Sequence, residues 1–139
     1  MPARIESFTR RYYELFNQRR FEEAETLIDP QAVFTYPAAK EHFIGRAGYR
    51  EIVGRWTEGF PDAYLSITAV KVSGDKVLTE WIGADTHQGM LELPGLAGIP
   101  ATGRKAELPM RETIRIVNGL VVEGRLEFDP HELRRRLGL

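Results

Sequence analysis

The chain of 139 residues contains no cysteine, which excludes disulfides and thiolate chemistry and deprives any metal site of its preferred soft ligand. An excess of one charge is also missing: nineteen basic and twenty acidic side chains leave a formal net charge of −1. Nucleic-acid-binding domains carry a clustered basic excess, so no nucleic-acid partner is expected. The one basic run, Arg134-Arg135-Arg136, reads as the solvated face of a short helix. Long hydrophobic runs are absent. No stretch approaches the ~20 apolar residues of a membrane span, and Met1-Pro2-Ala3-Arg4-Ile5-Glu6 lacks the apolar region of a signal peptide. A cytoplasmic protein without a membrane partner is expected. Three histidines far apart, with no His-x-x-x-His, give no metal site. Neither a phosphate-cradling glycine loop nor a Gly-x-Ser-x-Gly elbow occurs. Acid/base chemistry without a cofactor remains, or binding without chemistry.

What is present describes one domain, residues 1–139. Apolar residues make up 42% and charged residues 28%, the balance of a globular chain with a sizeable core. Residues 4–18 place Ile5, Phe8, Tyr12, Leu15 and Phe16 on one helical face. A second helix is expected from Arg20 to Ile28, stopped by Asp29-Pro30 because a residue before proline is pushed out of the α region. Val33–Tyr36 reads as a short strand ending at Pro37, and Ala47–Glu58 as a third helix. Period-two patterning follows: Ala63–Val72, a turn at Ser73-Gly74-Asp75-Lys76, then Val77–His87. An apolar loop spans Leu91–Ala101. A long strand covers Ala106–Val117, with Pro109 implying a bulge or an edge. Asn118-Gly119 is a hairpin signal, leading to a last strand, Leu120–Phe128, and a closing helix, Pro130–Leu137. Three helices followed by an antiparallel meander make an α+β fold.

Two stretches could carry chemistry. Alternation puts Val77, Thr79, Trp81, Gly83, Asp85 and His87 on one face. A neutral imidazole two residues from a carboxylate suits acid/base work, although an isolated histidine is also common in cores. On the last strand Glu123, Arg125, Glu127 and Asp129 share a face, which is either the solvent side or part of a polar pocket. Asp129-Pro130-His131-Glu132 additionally has the form of a helix cap, and on the residues alone capping is the favoured role for Asp129.

Read together, "GFPD" at 59–62, "W….THQG" at 81–89, "IPATGRK" at 99–105 and the C-terminal "FDPHELRRRLGL" resemble, in order and spacing, the SnoaL-like polyketide cyclases. These belong to the nuclear transport factor 2-like superfamily of cone-shaped α+β barrels. The resemblance covers nearly the whole chain. It implies a strongly curved antiparallel sheet wrapped around the N-terminal helices and enclosing a pocket. It also implies an intramolecular aldol condensation, or a related proton transfer, on a small apolar carbonyl-containing substrate, with no cofactor or metal. By the same resemblance Asp129 falls at the family's essential aspartate and His87 at its Thr-His pair, making both catalytic candidates. The apolar loop becomes a flap. Tyr12, Tyr36, Trp56, Phe60, Trp81, Asp85, Met90 and Arg125 are the candidate substrate-binding residues, and a homo-oligomer, dimer or tetramer, is implied. The chain departs from the family pattern at Asp85, where glycine is common, and at Arg125, where an aromatic residue is common. Arg125 with Asp85 and Asp129 would suit an epoxide hydrolase if the three converge. An isomerase on the same scaffold and a non-catalytic binding or dimerisation module stay open beside it.

Overall fold

The structure, a computed structural model, describes residues 2–36 and 42–139. Helix α1 (Pro2–Asn17) buries Tyr12, Tyr13 and Leu15, the stripe its spacing dictates. It ends through Arg19, whose φ of 60° is the left-handed conformation glycine normally supplies. The Arg19 guanidinium holds that bend by donating to the carbonyls of Phe16, Pro61 and Ala63 at 3.0, 3.0 and 2.7 Å. Helix α2 (Phe21–Glu25) is shorter than expected, because the Thr26 hydroxyl turns back onto Glu23 O at 2.6 Å. Ile28 is already the first residue of strand β1 (Ile28–Thr35), fully buried and paired with Val121. Asp29-Pro30 thus disfavours helix as anticipated, and the neighbouring strand claims the freed backbone. Pro37, expected to end this strand, lies outside the described residues. The short strand β2 (Phe43–Ile44), not anticipated, pairs antiparallel with β1 and leads into helix α3 (Gly45–Gly59).

Strands β3 (Tyr64–Ser73) and β4 (Lys76–Thr86) form the first long hairpin, turning at Gly74 with φ 63°. The apolar loop is not structureless. It contains a small hairpin, β5 (Leu91–Leu93) and β6 (Leu96–Ile99), turned by Pro94-Gly95 with Gly95 at φ 78°. Leu91, Leu93 and Leu96 are buried, so its hydrophobic residues are seated rather than raised as a flap. A Cβ at Gly89 would stand 1.9 Å from Glu58 O, and the Gly89 amide donates to Gly59 O at 3.2 Å. Only glycine lets the chain press this closely on the end of α3.

Strands β7 (Lys105–Val117) and β8 (Leu120–Glu127) turn at Asn118-Gly119, both with positive φ, as a two-residue hairpin loop demands. Helix α4 (Pro130–Arg136) closes the chain. The main sheet has the order β2-β1-β8-β7-β4-β3, antiparallel except between β1 and β8. It is curved but not closed, with α1 and α3 packed against it. Pro109 sits in an unbroken register with β4. It lies past the last β8 partner, at Arg111↔Glu127, so it occupies a local edge where its missing N–H costs nothing. Arg136 covers part of that edge by donating to Glu107 O. The register of β8 shifts at Val122: strict alternation would turn Val122, Leu126 and Phe128 to the core, and the structure buries Val121, Gly124 and Leu126, with Val122 and Phe128 half-buried. Among the described residues no helix is long and apolar enough to cross a membrane.

Candidate active site

Alternation on β4 and β7 builds the floor of an internal cavity. The inner row of β4 is Val77, Thr79, Trp81, Gly83 and Asp85, all buried, and β7 contributes Ala106, Leu108, Met110, Glu112 and Ile114 to the same side. Helices α1 and α3 roof this floor with aromatic side chains. Tyr13 packs on Trp81 at 5.3 Å between ring centroids, and Tyr12 on Tyr49 at 5.9 Å. Between floor and roof lies a void of about 90 Å³, lined by Tyr12, Tyr49, Trp56, Trp81, Met110 and Leu126 among others. That is several times the ~10–15 Å³ one water requires. Apart from a few polar groups the lining is apolar and aromatic, the usual composition of a small-molecule site.

Among the described residues two carboxyls line the cavity, Asp85 and Glu112. Asp85 is 7% exposed. Burial pushes its pKa up to about 7, with the nearby Asp62 carboxylate adding to the rise; the Tyr64 amide, 3.4 Å from Oδ1, and the Arg19 guanidinium oppose it. Asp62 itself is engaged by the Thr86 amide and hydroxyl at 2.6 and 2.7 Å. Glu112 accepts a hydrogen bond from the Tyr13 phenol at 2.8 Å. Burial raises its pKa to about 7 as well, against the opposing effect of that phenol. Gly124 makes room for it: a Cβ there would stand 2.7 Å from Phe34 Cδ1 and 3.1 Å from Glu112 Oε2. The two acids are not a pair. Glu112 lies opposite Thr79, six residues along β4 from Asp85, or roughly 20 Å of strand.

Of the candidates named from sequence, Tyr12, Trp56, Trp81 and Asp85 come together at this cavity. Tyr36 is buried behind it, where its hydroxyl accepts from Trp56 Nε1 at 3.1 Å. Phe60 is fully buried, stacked on Trp56 at 5.6 Å and the same distance from the His87 ring. His87 is also fully buried, beyond the cavity lining. Its Nδ1 accepts from the Thr102 amide at 3.2 Å and lies 3.0 Å from the Thr102 hydroxyl. Accepting from an amide puts the proton of the neutral ring on Nε2, which is buried with no partner among the described residues.

The remaining candidates face outward. Asp129 is exposed and caps α4, its Oδ1 accepting from the amides of His131 and Glu132 at 2.9 and 3.3 Å. It borders a shallow outer cleft with Glu80, Pro109, Arg111 and Phe128. Arg125 is on the solvent face, 3.6 Å from Glu127. Met90 is 44% exposed. Asp85 therefore points inward from β4 while Arg125 points outward from β8, and the triad of Arg125, Asp85 and Asp129 does not converge. Glu123, Arg125 and Asp129 form a solvent face.

Glu112 and Tyr13 were not singled out from sequence, although a signal for each exists. Glu112 stands in phase with Ala106, Leu108, Met110 and Ile114, an acid at an apolar position of the alternation. Tyr13 adjoins Tyr12 on a helix, where two consecutive aromatics widen the buried stripe.

Comparisons with known proteins bear on this architecture. The SnoaL-like domain profile matches residues 9–124. Comparison with curated proteins finds no match. Among solved structures, a candidate SnoaL-like polyketide cyclase from Jannaschia sp. CCS1 superposes with a TM-score of 0.86 at 17% identity, over 97% of this chain and 92% of that one. IdmH from Streptomyces antibioticus, a candidate polyketide cyclase, is 27% identical, with a TM-score of 0.80 over 97% and 99% of the two chains. AclR from Streptomyces galilaeus, a candidate hydroxylase, is 21% identical, with a TM-score of 0.82 over 98% and 96%.

Proposed function

The chain belongs to the SnoaL-like domain family, and from that premise we propose that it is an acid/base enzyme of the cyclase type. Its substrate is a small, apolar, carbonyl-rich molecule bound in the aromatic cavity, and its reaction is an intramolecular aldol condensation or a closely related proton transfer. The observation that carries the reading is Asp85, a carboxyl set into the wall of that cavity whose pKa burial raises to about 7. A carboxylate of that basicity matches neutral pH, where the product of correct protonation and proton-transfer driving force is greatest. We assign the reacting carboxyl to Asp85 rather than Asp129, because Asp129 is exposed and both of its hydrogen bonds serve a helix.

The chemistry balances with proton transfers alone. Asp85 takes a proton from the carbon next to a substrate carbonyl, and the C–H electron pair becomes the enolate. The enolate carbon bonds to a second carbonyl carbon of the same molecule, closing a ring and leaving an alkoxide. That alkoxide recovers the proton from Asp85, which returns to carboxylate. The enclosing aromatic rings exclude water and hold the chain folded, so that the two carbons meet as an intramolecular pair. His87 stands behind this wall. By fixing Thr102 it positions the segment that leads into β7, the strand that pairs with β4 at Asp85.

Asp85→Asn tests the reading, assayed by chromatography against a panel of anthracycline-type aldol precursors. Loss of general-base catalysis lowers kcat by roughly 10²–10⁴-fold, with the melting temperature unchanged or raised. Asp129→Asn in the same assay keeps its turnover. Wild-type inactivity across the panel, or an Asp85→Asn enzyme as fast as wild type, sinks the proposal. Loss confined to Asp129→Asn moves the reaction to the outer cleft.

A further inference from the structure

Asp85 occupies one end of the cavity, and the proton transfer leaves the polar groups at the other end unused. Glu112 lines that end together with Trp81; its cross-strand partner Thr79, the inner residue of β4 before Trp81, lies behind the lining. The Trp81 indole N–H and the Thr79 hydroxyl are buried with no hydrogen-bond partner among the described residues. Glu112 has one, the Tyr13 phenol, on Oε1. A buried polar group without a partner carries its full desolvation cost. Of these groups the unpartnered Trp81 N–H and the Glu112 carboxyl line the cavity, on neighbouring strands of one wall, and describe a site that a ligand completes. Gly124 supports this, since any side chain there would close on Glu112 Oε2, the oxygen the phenol does not use.

We propose that this end is a subsite for a neutral carbonyl oxygen of the substrate, held by the Glu112 carboxylic acid proton and the Trp81 N–H, remote from the carbon that reacts at Asp85. The proposal rests on the preceding reading only for which end reacts. Neutrality follows from the groups that surround Glu112: Tyr13 and Tyr12 from α1, Tyr49 from α3 and Thr79 from β4. Among the described residues none of these is cationic, so an anionic ligand group would meet an acid with nothing there to balance it. The substrate class narrows accordingly. It is an elongated, flat, apolar molecule with carbonyl functions at both ends, the distal one for recognition.

The test is calorimetric titration with 1-tetralone, a flat ketone, and tetralin, the same skeleton without oxygen. Wild-type protein binds the ketone about five- to a hundredfold more tightly than tetralin, the worth of two hydrogen bonds. Glu112→Leu reduces that preference about three- to tenfold, to what the Trp81 N–H alone supplies, whereas Asp85→Asn keeps it. Glu112→Gln, still a donor of similar shape, restores it. Because burial holds Glu112 protonated to about pH 7, the wild-type preference fades as pH rises from 6 to 9, while that of Glu112→Gln does not. A preference undiminished in Glu112→Leu, one that Glu112→Gln fails to restore, or one lost only in Asp85→Asn overturns the subsite. The last result would leave the proton-transfer reading standing. Failure of both compounds to bind up to their solubility limits overturns the subsite equally.

Discussion

Replacing Asp85 by asparagine should stabilise the protein, by an amount that depends on pH. The folded carboxyl stays protonated up to about pH 7, whereas the unfolded one ionises near its ordinary value of 3.8. The unfolded state therefore loses its proton first, and folding loses stability as pH climbs through that interval. At 1.36 kcal/mol per pKa unit, the gap of about 3 units amounts to about 4 kcal/mol at pH 8 and to less than about 2 kcal/mol at pH 5. Asparagine keeps the shape and never ionises. The stability difference between Asp85→Asn and wild type should thus grow by about 3 kcal/mol between pH 5 and pH 8. Urea denaturation at both pH values reads it directly. With slopes of ~1–3 kcal/mol/M, the relative midpoint moves by about 1–3 M. A stability difference equal at the two pH values would show that Asp85 is not held neutral by the fold, and the basis for its role as a tuned base would go with it. Glu112 undergoes the same kind of shift, so its contribution persists in the mutant and cancels in the comparison.

Single contacts set the remaining expectations. Gly124→Ala forces a methyl to 2.7 Å from Phe34 and 3.1 Å from Glu112. It should destabilise by about 1–3 kcal/mol in urea denaturation, the usual cost of overpacking. Asp129→Ala removes the acceptor for two α4 amides and should cost about 1 kcal/mol, whereas Asp129→Asn, a competent cap, should cost only a few tenths. Thermal melts of the two variants side by side separate capping from any effect on turnover.

Local physics reached a long way into this fold. The helical stripe of α1, the Gly74 and Asn118-Gly119 turns, and the Asp129-Pro130 cap each depend on residues close in sequence, and each formed where its residues stood. Strict alternation put Thr79, Trp81, Gly83, Asp85 and His87 on one face, and that face is the buried one. Where local signals competed with a distant partner, the partner prevailed. Ile28 left its expected helix because β8 offers its backbone a ladder, and β8 took a bulge that turned Val122 from the core. The Leu91–Ile99 segment shows a missed local cue, since Pro94-Gly95 is turn chemistry visible in the sequence.

The sequence by itself determined the α+β order, the periodicities of the long elements and the presence of an acid on the inner row of β4, because spacing along one strand or helix sets which side chains share a face. Only the tertiary structure decided which acids meet a cavity. The motif resemblance points to Asp129 and passes over Glu112, yet Asp129 caps a helix in water and Glu112 lies beneath Tyr13. That difference depends on the curvature of the sheet and the placement of α1 across it. The raised pKa of a carboxyl is a property of the surface that other elements remove from water, and no stretch of chain carries that information alone.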